Sequence, residues 1–140
     1  MTMNSYAHYA YRATDVANMS PLELIIKLYD GAIGFLGKAV NAISKGDRLQ
    51  KLENINKTRA IIDELLASLK VEEGGDVAKN LQDLYTYMLV ELTRANAAGD
   101  IEKIIRVQGL LKTLKGGWEQ VKITSKAEAP RTSSVMVKVY

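Results

Sequence analysis

Residues 20–46 read SPLELIIKLYDGAIGFLGKAVNAISKG, and this stretch decides the fold class. Ser20 can cap a helix, Glu23 can reach back to that cap, and Pro21 suits the first helical position because it has no useful N–H to lose there. Apolar residues then recur every three or four positions, at Leu22, Ile25, Tyr29, Ala32, Leu36, Val40 and Ile43. Because the stretch closes on a Lys-Gly stop signal, it predicts an amphipathic α-helix over about 20–45.

Three further stretches show the same helical period, over about 47–71, 76–98 and 100–123. Asp47 and Asp100 stand at two of the starts, where an aspartate side chain can accept from the first free amides. The connections are short, which forces neighbouring helices to run antiparallel. The sequence therefore predicts an all-α protein, an antiparallel up-and-down four-helix bundle over 20–123.

Two flanks lie outside the predicted bundle. Residues 1–19 carry Tyr6, Tyr9 and Tyr11 without a sustained period, and two interpretations of this loosely ordered flank stay open: it folds over the apolar groove of the bundle, or its aromatic residues anchor it to the domain. Residues 124–140 are rich in Ser, Thr, Ala and Lys and are expected to form a mobile tail. The last six residues, VMVKVY, favour extended structure, but a helical bundle offers no strand edge, so we expect them to be disordered.

Composition excludes several classes of protein. The 140 residues are 47% hydrophobic, enough for one core, and contain no cysteine for a disulfide or thiolate metal site. The sequence shows neither a secretory signal nor an apolar run long enough to span a bilayer, which predicts a cytoplasmic protein without stable membrane insertion. After residue 121 there are four basic residues and one acidic, which leaves fifteen of each before that point. The net charge of +3 thus belongs to the tail, and no nucleic-acid partner is expected.

Catalysis is not expected either. The sole histidine, His8, lies in the N-terminal flank, so the helices supply no base for a nucleophile and no histidine for a metal site. No catalytic residue, metal or cofactor is therefore predicted. Glycines at 31, 34 and 37 follow no strand, so we interpret them as a face that another helix approaches closely rather than as a phosphate loop.

The predicted third helix is more apolar than one core face requires, because Tyr85, Tyr87, Leu89 and Val90 add to its stripe. A helix that is apolar nearly all round is covered on several sides, and the cover is the N-terminal flank, a second copy or a partner. The alternative is that the two tyrosines bury their rings and leave their hydroxyls in water.

Several stretches of the chain resemble a known family, the flagellin-specific export chaperones (FliS). They are MSPLELI at 19–25, LYDGA at 28–32, KTRAIIDEL at 57–65, GGDVAKNL at 74–81 and LYTYM at 84–88. Trp118 also falls where the family places a late tryptophan. The resemblance runs from about residue 4 to residue 120. Two departures are the Gly116-Gly117 pair, which is expected to weaken the fourth helix, and the tail after residue 125.

The resemblance implies a cytoplasmic chaperone that binds the C-terminal segment of flagellin monomers one-to-one, prevents premature polymerisation and delivers them to a component of the flagellar export gate. It also implies that Tyr6 and Tyr9 cap the binding groove or dock on the gate.

Chosen by helix face, the predicted groove residues are Ile55, Ile62, Leu81, Leu84, Tyr85 and Met88. We expect Tyr85→Asp with Met88→Asp to weaken partner binding without loss of helix. The alternatives are a self-associating structural or adaptor bundle and a membrane-surface role for the basic tail.

Overall fold

The computed structural model describes residues 18–127 and 139–140, with side chains through residue 124 and for the last two. Four helices follow one another: α1 (Pro21–Ser44), α2 (Arg48–Ala67), α3 (Val71–Ala98) and α4 (Ile101–Ala127). They confirm the all-α class and the four-helix bundle. Within the described residues, no helix is long and apolar enough to cross a membrane.

The start of α1 is the capping box that the sequence predicts. The backbone N–H of Glu23 donates to Ser20 Oγ at 3.2 Å, and the backbone N–H of Ser20 donates to the Glu23 carboxylate at 3.5 Å. The helix ends at Ser44, with Lys45 as its C-cap, and Gly46 follows with a φ of 72°. Asp47 then caps α2 by accepting from the backbone N–H of Gln50 at 3.1 Å.

The junction between α2 and α3 differs from the expectation. Residues 72–75 were expected to belong to a connection, but residues 71–74 form a helical turn, in which the N–H of Gly74 donates to the carbonyl of Lys70 at 2.8 Å. Two glutamates favour this turn because acidic side chains stabilise a helix N-terminus. Gly75 then breaks the regular helix with φ 58° and ψ −138°, a conformation that suits glycine, and α3 continues from Asp76.

Helix α4 passes through Gly116 and Gly117 without a break and continues to Ala127, beyond the expected end near 123. No proline or glycine follows the pair until Pro130, so nothing in this stretch stops the helix. Trp118, directly after the pair, is only 3% exposed and anchors this part of α4 to the core. The expected weakening at the glycines therefore does not interrupt the helix.

The four helices form an antiparallel square in which α1 and α3 each pack between α2 and α4. Side-chain contacts fix the register. The Lys115 ammonium pairs with the Asp30 carboxylate at 2.5 Å, and Gln108 Nε2 donates to the carbonyl of Ile33 at 3.1 Å, so the start of α1 faces the end of α4. Lys51 Nζ donates to the carbonyl of Asn96 at 2.8 Å, where a cation also suits the C-terminus of α3.

The core is continuous along the bundle. Its largest fully buried side chains are Tyr29, Tyr85, Leu36, Ile55, Ile61, Ile62, Leu65, Met88, Leu92, Ile104, Leu111 and Val107. The close-approach interpretation of the α1 glycines is wrong at two of the three positions. A Cβ added at Gly34 would meet no atom within 4 Å, and one at Gly37 would meet only Gln108 at 3.6 Å, because both residues face outward.

Candidate protein-binding groove

An apolar groove lies on the surface between α3 and α4, the least extensively packed of the four neighbouring helix pairs. Its cavity measures about 250 Å³. The lining residues recur at helical spacing on both sides: Val77, Asn80, Leu81 and Leu84 from α3, with Thr113, Leu114, Gly117 and Trp118 from α4. We call this surface the α3–α4 groove. Asn80 and Thr113 are exposed at its rim, whereas Leu81 and Trp118 are nearly buried beneath it.

Gly117 helps to open the groove because it contributes no side chain. A Cβ added there would meet no other atom within 4 Å, and the same holds for Gly116. Glycine in a helix costs about 1 kcal/mol relative to alanine. Neither steric crowding nor a positive φ requires glycine at position 117. The empty space above it is available to another molecule.

The six predicted groove residues divide into two sets. Leu81 and Leu84 line the α3–α4 groove. The other four, Ile55, Ile62, Tyr85 and Met88, are fully buried in the core and present no surface to a partner in this conformation. Their assignment as groove lining is corrected, because the core face of α3 lies next to its groove face. Tyr6 and Tyr9 lie outside the described residues, and their capping or docking role stays a prediction.

Three tyrosine hydroxyls form a contact chain beside the groove. The Tyr29 hydroxyl contacts that of Tyr85, and the Tyr85 hydroxyl lies 2.5 Å from that of Tyr140. The Tyr140 ring also packs against the indole of Trp118, with 5.7 Å between ring centroids. Tyr85 therefore does not leave its hydroxyl in water. Val139 and Tyr140 were expected to be disordered, but they pack on the bundle, and Val139 is fully buried.

This cluster predicts a loss of stability at alkaline pH. Burial raises the pKa of Tyr29, Tyr85 and Tyr140 well above the ordinary value near 10. The unfolded chain therefore ionises these groups near pH 10 while the folded chain keeps them protonated, so stability is complete below pH 10 and falls above it. Each tyrosine lowers the free energy of unfolding by about 1.4 kcal/mol per pH unit in that range.

Urea unfolding between pH 9 and 11 measures this dependence, with Tyr29→Phe as the matched variant. The variant has one titrating hydroxyl fewer, so its free energy of unfolding should fall less steeply above pH 10, by up to about 1.4 kcal/mol per pH unit. Lysines common to both chains cancel in the comparison. Equal slopes would show that the Tyr29 hydroxyl ionises as readily in the folded as in the unfolded chain.

The α3–α4 surface next to the groove carries charged side chains. The Glu91 carboxylate is nearly buried and pairs with Arg106 at 3.4 Å, Arg94 at 3.5 Å and Lys103 at 3.7 Å. On the outer side of the same helix, Tyr87 is 40% and Val90 43% exposed. The apolar residues of α3 therefore lie in three places: in the core, in the α3–α4 groove and on a partly exposed outer face.

A larger cavity, about 400 Å³, lies at the other end of the bundle, between the α1–α2 and α3–α4 connections. Its lining includes Asp47, Arg48 and Lys51 and is mostly polar. It lacks the apolar stripe that a partner helix requires. In the described part of the chain, no three His, Cys, Asp or Glu side chains are grouped to hold a metal ion.

Sequence reasoning did not place Val77, Leu114 or Trp118 in a groove, and it missed Asn80, Thr113 and Gly117 as lining residues. The Gly116-Gly117 pair was the usable signal. Gly117 lies on the apolar face of a helix that continues past it, so the glycine is not a helix stop. A glycine at such a position leaves space where a side chain would otherwise lie.

Comparison with known proteins decides the family. The model of the family described as flagellar protein FliS matches residues 2–125. The chain belongs to the FliS family. The flagellar secretion chaperone FliS of Salmonella typhimurium is 40% identical over 107 residues, which are 76% of this chain and 79% of the relative. The FliS chaperone of Campylobacter jejuni is 35% identical over 84% of this chain and 92% of the relative. The FliS chaperone of Bacillus subtilis is 30% identical over 79% of this chain and 82% of the relative.

FliS membership confirms the resemblance noted in the sequence. It makes the chain a flagellar secretion chaperone and not an enzyme. A chaperone of export acts on a client protein, so the functional site is a protein-binding surface. Among the described residues, the α3–α4 groove is the candidate for that surface.

Proposed function

We propose that this FliS chain binds the C-terminal segment of flagellin monomers in the cytoplasm, prevents their premature polymerisation and delivers them to a component of the export gate. The observation that carries the proposal is the apolar α3–α4 groove in a member of a secretion-chaperone family. The proposed state is a monomer that binds one client.

The shape of the groove favours a helical client segment. From Val77 to Leu84 the α3 wall covers about two helical turns, or roughly 10 Å at 1.5 Å per residue. A client helix of that length offers two or three apolar side chains at i, i+3 and i+4, and Leu84 and Leu114 are half-buried at positions to receive them.

The polar rim favours a reversible complex over a permanent one. Asn80 and Thr113 offer hydrogen-bonding groups at the edge of the apolar floor, as interfaces between soluble partners commonly do. A client that must later be released for export gains specificity from such a rim. A disordered client segment also loses conformational entropy on binding, which limits its net affinity.

Calorimetric titration of the folded chain with the C-terminal segment of flagellin from the same organism tests the proposal. We expect one-to-one binding with a negative heat-capacity change, because apolar surface is buried. A scrambled segment of the same composition is the control. No heat of binding in a sample shown to be folded would contradict the proposal.

Sedimentation of the chain alone separates the proposed function from the self-associating alternative. A chaperone with an open client groove is expected to sediment as a monomer and to shift to a one-to-one complex with the segment. A stable dimer that leaves no groove surface for the segment would favour the structural bundle instead.

A further inference from the structure

Val139 and Tyr140 occupy a defined socket on the bundle. The carbonyl of Val139 accepts from the backbone N–H of Lys70 at 2.8 Å, and the Val139 side chain is fully buried. Tyr140 contacts Tyr85 through its hydroxyl and Trp118 through its ring. We call Val139 and Tyr140 the plug, and the socket is formed by Lys70, Gly74, Tyr85 and Trp118.

The socket is shaped for a backbone as well as for side chains. Gly74 is buried, and a Cβ added there would lie 2.6 Å from Ala78 Cβ and 3.1 Å from Val139 Cα. The lack of a side chain at Gly74 therefore lets the plug backbone approach α3 closely. The Lys70 amide precedes the first turn of α3 and has no partner within that helix, so an extended segment can pair with it.

Trp118 connects the socket to the α3–α4 groove. Its indole packs against the Tyr140 ring in the socket, and the same residue lines the groove beside Gly117. A client segment that continues along the groove past Trp118 thus reaches the place where Tyr140 sits. Trp118 is thus shared by the socket and the groove.

The plug is held by noncovalent contacts, which include one backbone hydrogen bond, one hydroxyl contact, one ring contact and burial of the Val139 side chain. We propose that the socket is a binding site for an extended peptide with a β-branched residue followed by an aromatic one. In the free chain Val139 and Tyr140 occupy it, and an incoming client segment displaces them. The displacement step rests on the proposed function, whereas occupation of the socket does not.

Trp118 reports on the plug without any client, because it is the only tryptophan in the chain. A chain ending at Lys138 and the Tyr140→Ala variant should both show red-shifted tryptophan emission and stronger quenching by acrylamide. Tyr140→Phe keeps the ring over Trp118 and should behave like the parent chain. Unchanged emission in the shortened chain, shown to be folded by circular dichroism, would overturn occupation of the socket.

Client binding by the same chains tests displacement. Apparent affinity scales with the fraction of molecules whose socket is free of the plug. With the plug in place in about two-thirds of molecules or more, its removal should tighten binding of the flagellin segment at least about threefold. Hydrogen exchange at the Lys70 amide should also accelerate when the parent chain binds the segment.

Equal or weaker binding by the shortened chain would overturn displacement and leave the plug a purely structural anchor. Binding by none of the chains would overturn the proposed function and displacement together. The emission of Trp118 distinguishes these failures, because it tests the occupied socket independently of any client.

Discussion

The Gly117→Leu variant is expected to weaken binding of the flagellin segment by about 10- to 100-fold while the bundle becomes more stable. A side chain at position 117 projects into the groove, where a Cβ meets no other atom, so it fills the client's space without a clash. Displacing one or two client side chains removes roughly 1.5–3 kcal/mol of apolar burial. Leucine also favours the helix over glycine by roughly 0.5–1 kcal/mol. Calorimetry and urea unfolding measure the two effects.

Gly116→Leu is the matched control. Gly116 is the adjacent residue of the same helix, is equally free of neighbours and does not line the groove. Both variants gain helix propensity, so both should unfold at higher urea concentration. Only Gly117→Leu should lose client affinity. If the two variants bound the segment equally well, the groove at Gly117 would not be the client site.

The double variant Tyr85→Asp and Met88→Asp is expected to unfold the bundle, contrary to the expectation from sequence that it spares the helices. Both side chains are fully buried, so the two carboxylates would enter the core without partners and the tyrosine contact chain would be broken. The cost exceeds about 5 kcal/mol, which is comparable to the whole stability of a small domain.

Far-UV circular dichroism with thermal unfolding measures this result. Tyr87→Asp with Val90→Asp is the control, because these two residues lie on the same helix and are 40% and 43% exposed. The control should keep its helical signal and melt cooperatively, within about 1 kcal/mol of the parent. A folded, cooperatively melting Tyr85 and Met88 double variant would show that these positions are not core.

Local signals were sufficient to predict the four helices. The signals that start and end the helices act within one turn, so neighbouring residues determine them. They include the caps at Ser20 and Asp47 and Gly99 at the end of α3. The short turn before Gly75 was missed because two glycines in succession resemble a connection. Only the packed structure shows that the first of them belongs to a helical turn.

The site was harder to predict than the fold. A helical period separates an apolar face from a polar one, but it does not say which neighbour covers each part of the apolar face. Leu84 and Tyr85 are adjacent and both apolar, yet Leu84 lines the groove and Tyr85 is buried against Tyr29.

The plug was missed for a related reason. Its socket combines the α2–α3 junction with α3 and α4, residues far apart in sequence.

Intermolecular nuclear Overhauser effects from chain methyl groups to an isotopically distinct flagellin segment test the client site most directly. Contacts are expected at the methyl groups of Val77, Leu84 and Leu114, which line the α3–α4 groove. Leu49 and Leu52 on α2 are 71% and 41% exposed but do not line the groove, so they serve as the internal comparison. Contacts at Leu49 and Leu52, with none at the three groove residues, would contradict the assignment of the α3–α4 groove as the client site.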